Sequence, residues 1–337
     1  MDPVFAFHSL GALRKNTIRA RAAMMGESFG VPYWLEVARR EKPGLIHSHF
    51  SWMGRASHEL KLHLHVPLVM TLYGEDSVKK SPDVDTLEVL RRTLGYADEI
   101  IAVSQYVCDR ASSIMGNGFA ANVVSPGVDT KLFSPGAPRS QDGRFVLGAA
   151  GRFDKVKGLG TLLEAFKGLT KSAPNAVLKV AGGGGNDLGV QEQAAKLGIA
   201  DKVEFLGWLP RSGLPDFYRS LDVFVLPSTI FPSGITEALG MVMIEAQACG
   251  IPGVGSSVGG IPETVLPGES ALLVPPNDPS ALQAALERTA GDRQLLLRLG
   301  EAGRRNVLEK FDLMKQTRIL TQLYEEVLSG AGDNENR

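Results

Sequence analysis

Short apolar runs alternate with amphipathic stretches along almost the whole chain of 337 residues. Residues 44–49 (GLIHSH), 67–72 (PLVMTL) and 99–103 (EIIAV) are short, aliphatic or β-branched, and bounded by loop residues, which predicts buried strands. Between and after them, 53–64, 82–95 and 104–115 carry apolar positions at helical spacing. This β-α-β rhythm predicts a parallel sheet with helices packed on its faces. Residues 125–143 (SPGVDTKLFSPGAPRSQDG) break the rhythm with proline and glycine and read as a linker.

The rhythm then restarts. Residues 145–150, 176–181, 202–206, 222–226 and 271–274 read as strands, and 158–171, 187–197, 213–221, 237–249 and 278–290 as the intervening helices. Helical stretches at 292–310 and 313–329 follow, before the polar tail GAGDNENR, which is expected to fray. The pattern therefore predicts an α/β protein of two Rossmann-like units facing a cleft. One covers 1–135 and the other 144–312, with helix 313–329 returning to pack on the first.

Composition narrows the classes. Hydrophobic residues make up 44% and charged residues 22%, as in an ordinary packed chain. The 36 basic and 37 acidic side chains nearly cancel to a net charge of −1, which argues against a nucleic-acid partner. Cys108 and Cys249 are the only cysteines, too few for a disulfide framework or a Cys-rich zinc site. The opening MDPVFAFHSLGALRKN lacks the charge and apolar core of a signal peptide, and no run approaches the ~20 apolar residues of a membrane helix. The expected location is cytoplasmic, with room for peripheral association at the inner face of a membrane. The basic stretch Arg14 to Arg21 would serve that contact, or simply form a solvated helix face.

Three features in the second half carry chemistry. Gly151-Arg152 follows a strand, and Lys155, Lys157 and Gly158 precede a helix. Permanent cations where a strand ends and a helix begins favour an anion such as a diphosphate, although a basic turn also keeps a loop soluble. Gly182 to Gly185 follow another strand and permit a sharp turn or close approach of a ligand to backbone. This run lacks the spacing and the following acid of the dinucleotide fingerprint, so nicotinamide chemistry fits poorly. Glu237 and Glu245 are eight positions apart, which on one helix would aim them roughly 80° from each other. Gly240 instead places Glu237 in a loop and Glu245 on a helix, among Met243, Ile244, Ala246 and Ala248. A carboxylate there needs a partner, either a sugar or ribose hydroxyl pair or a neighbouring Lys or Arg.

All six histidines, His8, His47, His49, His58, His63 and His65, fall in the first 65 residues. His47/His49 and His63/His65 have the spacing that puts a pair on one face of a strand. No acidic or cysteine ligands accompany them, so no metal site is expected. His49, at a strand end, is the functional candidate.

Cys249-Gly-Ile-Pro252, Gly259-Gly-Ile-Pro-Glu263 and Asn277-Asp-Pro279 follow the spaced acids in order. With GRFDKVKG, FLGWLP, DVFVLPS, EALGMVMIEAQACGIP and ALLVPPNDP, this succession resembles retaining glycosyltransferase family four. LIHSHF, PLVMTLYGED, EIIAVS and VVSPGVDTKLF match its first domain more loosely, and the likeness extends over about 44–310. HSHF and LYGED are similar to members that build bacterial surface polysaccharides. The resemblance implies a GT-B fold, with 1–135 on the acceptor side and 144–312 binding a nucleotide sugar. It implies a retaining transferase that moves a sugar from a UDP- or GDP-linked donor to a glycan or lipid-linked acceptor in polysaccharide or glycoconjugate biosynthesis.

Carried onto this chain, the family pattern has Arg152 and Lys157 grip the diphosphate and stabilise the leaving group. Glu237 contacts the transferred sugar and Glu245 the ribose. Gly183, Gly240, Met241 and Val242 offer backbone groups, and Trp208 lies where the base is contacted. Ala238 stands where the common phrase has glycine. Tyr73 occupies the place of a family histidine; its phenol can donate a hydrogen bond but is a poor base near neutral pH. No cofactor or divalent ion is implied, and the donor half has no Asp-x-Asp at a strand end. Asp83 and Asp85 have that spacing in a loop of the other half. The family's first domain opens with a strand and glycine-rich loop, whereas residues 1–43 offer only VFAF, the basic stretch and one helix at 32–42. One or two opening βα units therefore read as missing. That leaves a rival reading, a sugar-nucleotide-binding or partner protein with impaired catalysis. A GT-B epimerase is a weaker third.

Overall fold

The computed structural model describes residues 31–74, 84–116, 118–136, 143–184 and 189–334. The chain divides into two compact units. The first takes residues up to 124, apart from 104–106, together with the chain from Ile319 onward; the second takes 104–106 and 125–318.

The first unit contains a parallel sheet of β1 (Ile46–His49), β2 (Leu68–Leu72), β3 (Glu99–Ala102) and the short β4 (Asn122–Val123), paired in that order. Its helices are α1 (Val31–Glu41), α2 (Gly54–Leu64), α3 (Val84–Leu94) and, from Val107, α4 (Gln105–Met115). Strand β2 is buried throughout, which is why PLVMTL reads as a continuous apolar run rather than an alternating one. Gly54 opens α2 because a methyl group there would lie 2.0 Å from Thr93 Cγ2. The last helix, α11 (Leu313–Asn334), starts in the second unit, and from Ile319 it counts with the first. There Leu323 is buried on Val69 and Ile101, with Leu320, Tyr324 and Val327 around it.

Among the described residues the second unit contains a six-stranded parallel sheet of β5 (Phe145–Gly151), β6 (Ala176–Gly182), β7 (Val203–Gly207), β8 (Val223–Leu226), β9 (Gly253–Ser256) and β10 (Ala271–Val274). The strand order is β10-β9-β8-β5-β6-β7. The chain starts at the centre, runs outward through β6 and β7, then returns to β8 on the other side of β5. In such sheets ligands collect beyond the carboxyl ends of the strands where the order reverses, here β5 and β8. Leu147 and Val225 feed one buried cluster, Val146 and Phe224 the other, as alternation on a sheet covered on both faces requires. The helices are α5 (Leu159–Ser172), α6 (Val190–Leu197), α7 (Leu214–Arg219), α8 (Met241–Ala248), α9 (Pro279–Gly291) and α10 (Arg293–Lys310). Asp278 and Asp292 cap α9 and α10 by accepting from Ala281 N and Leu295 N, each at 2.8 Å.

The structure departs from the sequence reading in several places. Strand β9 is not among the runs that the sequence pattern marks as strands. The first part of the supposed linker is packed: Val128 and Phe133 are fully buried in the second unit, and Val128 pairs with Asp312. The Arg304 guanidinium donates to the carbonyls of Ala248, Phe133 and Thr130 at 2.7, 2.9 and 3.0 Å and ties this segment down. His63 and His65 do not share a strand face. They lie at the end of α2, with His65 as its left-handed cap.

Residues 1–30, with VFAF, Arg14 to Arg21 and the expected missing βα units, lie outside the described residues. So do Asp83, the side chain of Asp85, and Gly185. Among the described residues no helix is long and apolar enough to cross a membrane.

Candidate functional site

Beyond the carboxyl ends of β5 and β8 two loops are locked together by close approach. Gly158 has φ 62°, and a methyl group there would lie 1.9 Å from Pro227 O, so the loop after β5 sits directly on the loop after β8. Thr229 N donates to Val156 O at 2.8 Å across the same contact. Asp154 caps the short turn 155–157 by accepting from Lys157 N. Held this way, Lys157 reaches Glu237: Nζ lies 2.6 Å from Oε2, and the side chains are 18% and 14% exposed. Ser228 donates to the same carboxylate oxygen at 3.2 Å. Arg152 is not part of this contact; it faces Asp154 at 3.5 Å and its side chain is 72% exposed.

The loop carrying Glu237 is fixed by the VGGIPE phrase. Methyl groups on Gly259 and Gly260 would lie 1.9 and 2.2 Å from the carbonyls of Glu237 and Ala238, and Gly260 N donates to Glu237 O at 3.0 Å. Gly240, with φ 97°, turns the chain into α8. A helix start leaves its first N–H groups without intrahelical partners, and here these belong to Met241 and Val242. Glu245 lies one turn on, buried, and accepts from the Tyr218 hydroxyl at 2.8 Å. Burial raises the Glu245 pKa, opposed by the Tyr218 hydrogen bond and by Arg211. The predicted split of the two acids between loop and helix is observed, and among the described residues the hydrogen-bond partner of Glu245 is a tyrosine rather than a Lys or Arg.

Gly183 follows β6 with an extended, glycine-favoured φ of 157° and open space where a side chain would be. Trp208, just after β7, is 71% exposed. A methyl group on Gly182 would lie 1.8 Å from Gly151 O, so the end of β6 depends on glycine to lie this close to β5.

In the first unit the ends of β1 and β2 gather a second cluster. His47 and His49 stack with ring centroids 4.4 Å apart, as their spacing predicts. His49 Nδ1 shares a 2.9 Å hydrogen bond with the Tyr73 hydroxyl. His47 bonds through Nδ1 to the Tyr324 hydroxyl at 2.5 Å and through Nε2 to Thr71 Oγ1 at 2.7 Å. Burial, with His49 alongside, lowers the His47 pKa to about 3, and burial also lowers that of His49. Both rings are therefore neutral near pH 7. Among the described residues no set of three His, Cys, Asp or Glu is placed to hold a metal ion.

Sequence reasoning missed Ser228, Tyr218 and Tyr324. Ser228 closes the DVFVLPS phrase and was within reach of motif reading, whereas nothing local marks the two tyrosines.

A doubly wound parallel sheet, a cation and an acid paired at its switch point, and a second parallel α/β unit are the architecture of a GT-B glycosyltransferase. The comparisons agree: residues 132–306 match the model for glycosyl transferases group 1, and 15–132 that for glycosyltransferase family 4. The chain belongs to this family. It is 34% identical over 250 residues to a GDP-mannose-dependent alpha-(1-6)-phosphatidylinositol monomannoside mannosyltransferase of Mycolicibacterium smegmatis, covering 72% of this chain and 64% of that one. It is 33% identical over 309 residues to a D-inositol 3-phosphate glycosyltransferase of Corynebacterium jeikeium, covering 84% and 72%. The chain thus spans about two thirds of the length of these curated relatives. Among solved structures, sucrose-phosphate synthase from Thermosynechococcus elongatus matches with TM-score 0.80 and 26% identity over 94% of this chain and 80% of that one. Anabaena HepE, solved with UDP and glucose, shares the fold with TM-score 0.77 and 21% identity over 96% and 84%.

Proposed function

We propose that this chain is a retaining glycosyltransferase that moves a sugar from a UDP- or GDP-linked donor to a glycan or lipid-linked acceptor, without a divalent ion. The observation that carries the reading is the Lys157–Glu237 contact at the switch point of the second sheet. A charged lysine there complements the diphosphate, and a fixed cation gains most as leaving-group charge develops. Arg152 is exposed, and its ion pair with Asp154 at 3.5 Å leaves the guanidinium able to turn toward the same phosphates. The start of α8 adds N–H donors for an anion. Glu237, held by Lys157 and Ser228, orients the transferred sugar, and Glu245 holds the ribose. Gly183 leaves room for the donor, and the exposed Trp208 marks the base side.

In the step itself the bond from the anomeric carbon to the diphosphate oxygen breaks, and the acceptor oxygen bonds on the same face. The acceptor proton passes to the departing phosphate. His49 and Tyr73 lie on the acceptor side, where a neutral imidazole bonded to a phenol can orient a hydroxyl. The relatives support this reading: one is GDP-mannose-dependent and acts on a phosphatidylinositol monomannoside, and the other acts on D-inositol 3-phosphate. A lipid-linked acceptor would place the reaction at the inner face of a membrane.

Calorimetric titration with UDP, GDP and ADP, each with and without Mg²⁺ or Mn²⁺, tests this on wild type and Arg152→Ala/Lys157→Ala. Metal-free binding of one nucleotide, lost in the double variant, is expected. Activity abolished by a chelator and restored only by a divalent ion would count against it. Nucleotide binding without acceptor-dependent nucleotide release would favour the impaired, binding-only reading.

A further inference from the structure

Glu245 sits in a helix whose other residues after its first turn are apolar or buried, yet its carboxylate is not left to itself. Among the described residues one side chain, Tyr218, donates to it, at Oε2. Tyr218 belongs to α7, is fully buried, and packs against three aromatic rings: Phe217 and Phe224 at 5.4 Å and Phe133 at 6.1 Å between centroids. A fully buried ring packed this way has little room to change rotamer, so its hydroxyl is a restrained donor rather than an adaptable one. A glutamate has three side-chain torsions, and its second oxygen points in a defined direction only when the first is anchored. Burial and the adjacent carboxylate hold the phenol protonated far above neutral pH, so Tyr218 remains a donor. Its hydrogen bond also favours the ionised form of Glu245, the better acceptor for a vicinal diol.

We infer that Tyr218 is a positioning residue for ribose recognition: by holding Oε2 of Glu245 it aims Oε1 at the ribose hydroxyl pair, so that α7 helps set the preference for ribonucleotides. This rests on the reading of Glu245 given above and adds to it a residue that does not touch the donor. The anchor comes from a different helix, 27 positions earlier in the chain, so it reports on the packing of α7 against α8 rather than on α8 alone.

The test is a ratio. Calorimetry on the full chain gives the affinity of the preferred nucleoside diphosphate and of its 2′-deoxy and 3′-deoxy forms, for wild type, Tyr218→Phe and Glu245→Gln. Glu245→Gln is expected to collapse the ribo/deoxy ratio. Tyr218→Phe is expected to weaken the ribonucleotide by about fivefold, the loss of one buried hydrogen bond, and to leave the deoxy forms unchanged. An unchanged ratio in Tyr218→Phe, or an equal loss for ribo and deoxy forms, overturns the inference while a collapsed ratio in Glu245→Gln keeps the ribose reading. An unchanged ratio in Glu245→Gln removes the ribose reading and the inference with it. If Tyr218→Phe does not fold, 3-fluorotyrosine in place of Tyr218 preserves shape and strengthens the donor. The ratio must then rise, and a constant ratio overturns the inference.

Discussion

Lys157 and Glu237 stand 80 positions apart in the chain and 2.6 Å apart in the fold, sharing the Glu237 Oε2 oxygen with Ser228. Each loop is held by its own glycine contact, Gly158 against Pro227 and Gly259–Gly260 against Glu237–Ala238. The pair is therefore delivered by backbone packing, before any ligand arrives.

Removing either partner leaves the other charge half-buried. Lys157→Ala and Glu237→Ala are each expected to lower stability, and the double variant to lose less than their sum, with a coupling of about 1–2 kcal/mol. Urea melts of the four proteins measure it. Additive losses would show that the contact contributes nothing before ligand binding.

Gly158→Ala places a methyl group where Pro227 O already lies and holds a left-handed φ that alanine resists. A loss of about 2 kcal/mol or more is expected, together with weakened nucleotide binding. Gly291→Ala, at the end of α9 with nothing within 4 Å, serves as the control and should be nearly neutral. Equal melting temperatures for both variants would refute the loop-locking argument.

Arg304 spans three carbonyls from two segments. Arg304→Met is expected to cost about 2–4 kcal/mol, and Arg304→Lys to recover little of it, since one ammonium cannot replace a planar fork of donors. Full rescue by lysine would mean that charge, not geometry, holds the 125–136 segment.

His47 gives a pH dependence with a definite sign. Its folded pKa, about 3, lies below the ordinary 6.5, so between these values the unfolded chain binds the extra proton. Stability is then full above pH 6.5 and falls as the pH drops toward 3, by at most about 1.4 kcal/mol per pH unit. Denaturant melts from pH 7 to pH 4 should show the fall, and His47→Gln should flatten it. An equally steep fall in His47→Gln would assign the dependence to other groups.

Most of the two sheets was legible because parallel strands buried on both faces leave unbroken apolar runs, as in PLVMTL and FVLGAA. Strand β9 escaped for the opposite reason. Its Gly253 and Gly255 keep Met243 of α8 against the sheet, since a methyl group on Gly253 would lie 2.3 Å from Met243 Sδ. Close helix packing has erased the side chains that mark a strand. Residues 125–136 read as a linker because proline and glycine dominate them, but the buried Val128 and Phe133 and the reach of Arg304 from α10 make them part of the core. Within the site, Lys157 and Glu237 were found as motif residues. Their contact, and the anchoring of Glu245 by Tyr218, are products of tertiary packing that no local spacing records.

The first unit is assembled from two stretches of chain that flank the second. Val69 and Ile101 are covered by Leu323, and His47 finds a partner in Tyr324, on a helix whose first turn still belongs to the second unit. During synthesis β2 and β3 therefore emerge before the helix that buries Val69 and Ile101. The second unit can close earlier. Order of translation and order of completion are reversed between these two units, and truncating α11 before Ile319 would damage the first unit rather than the second.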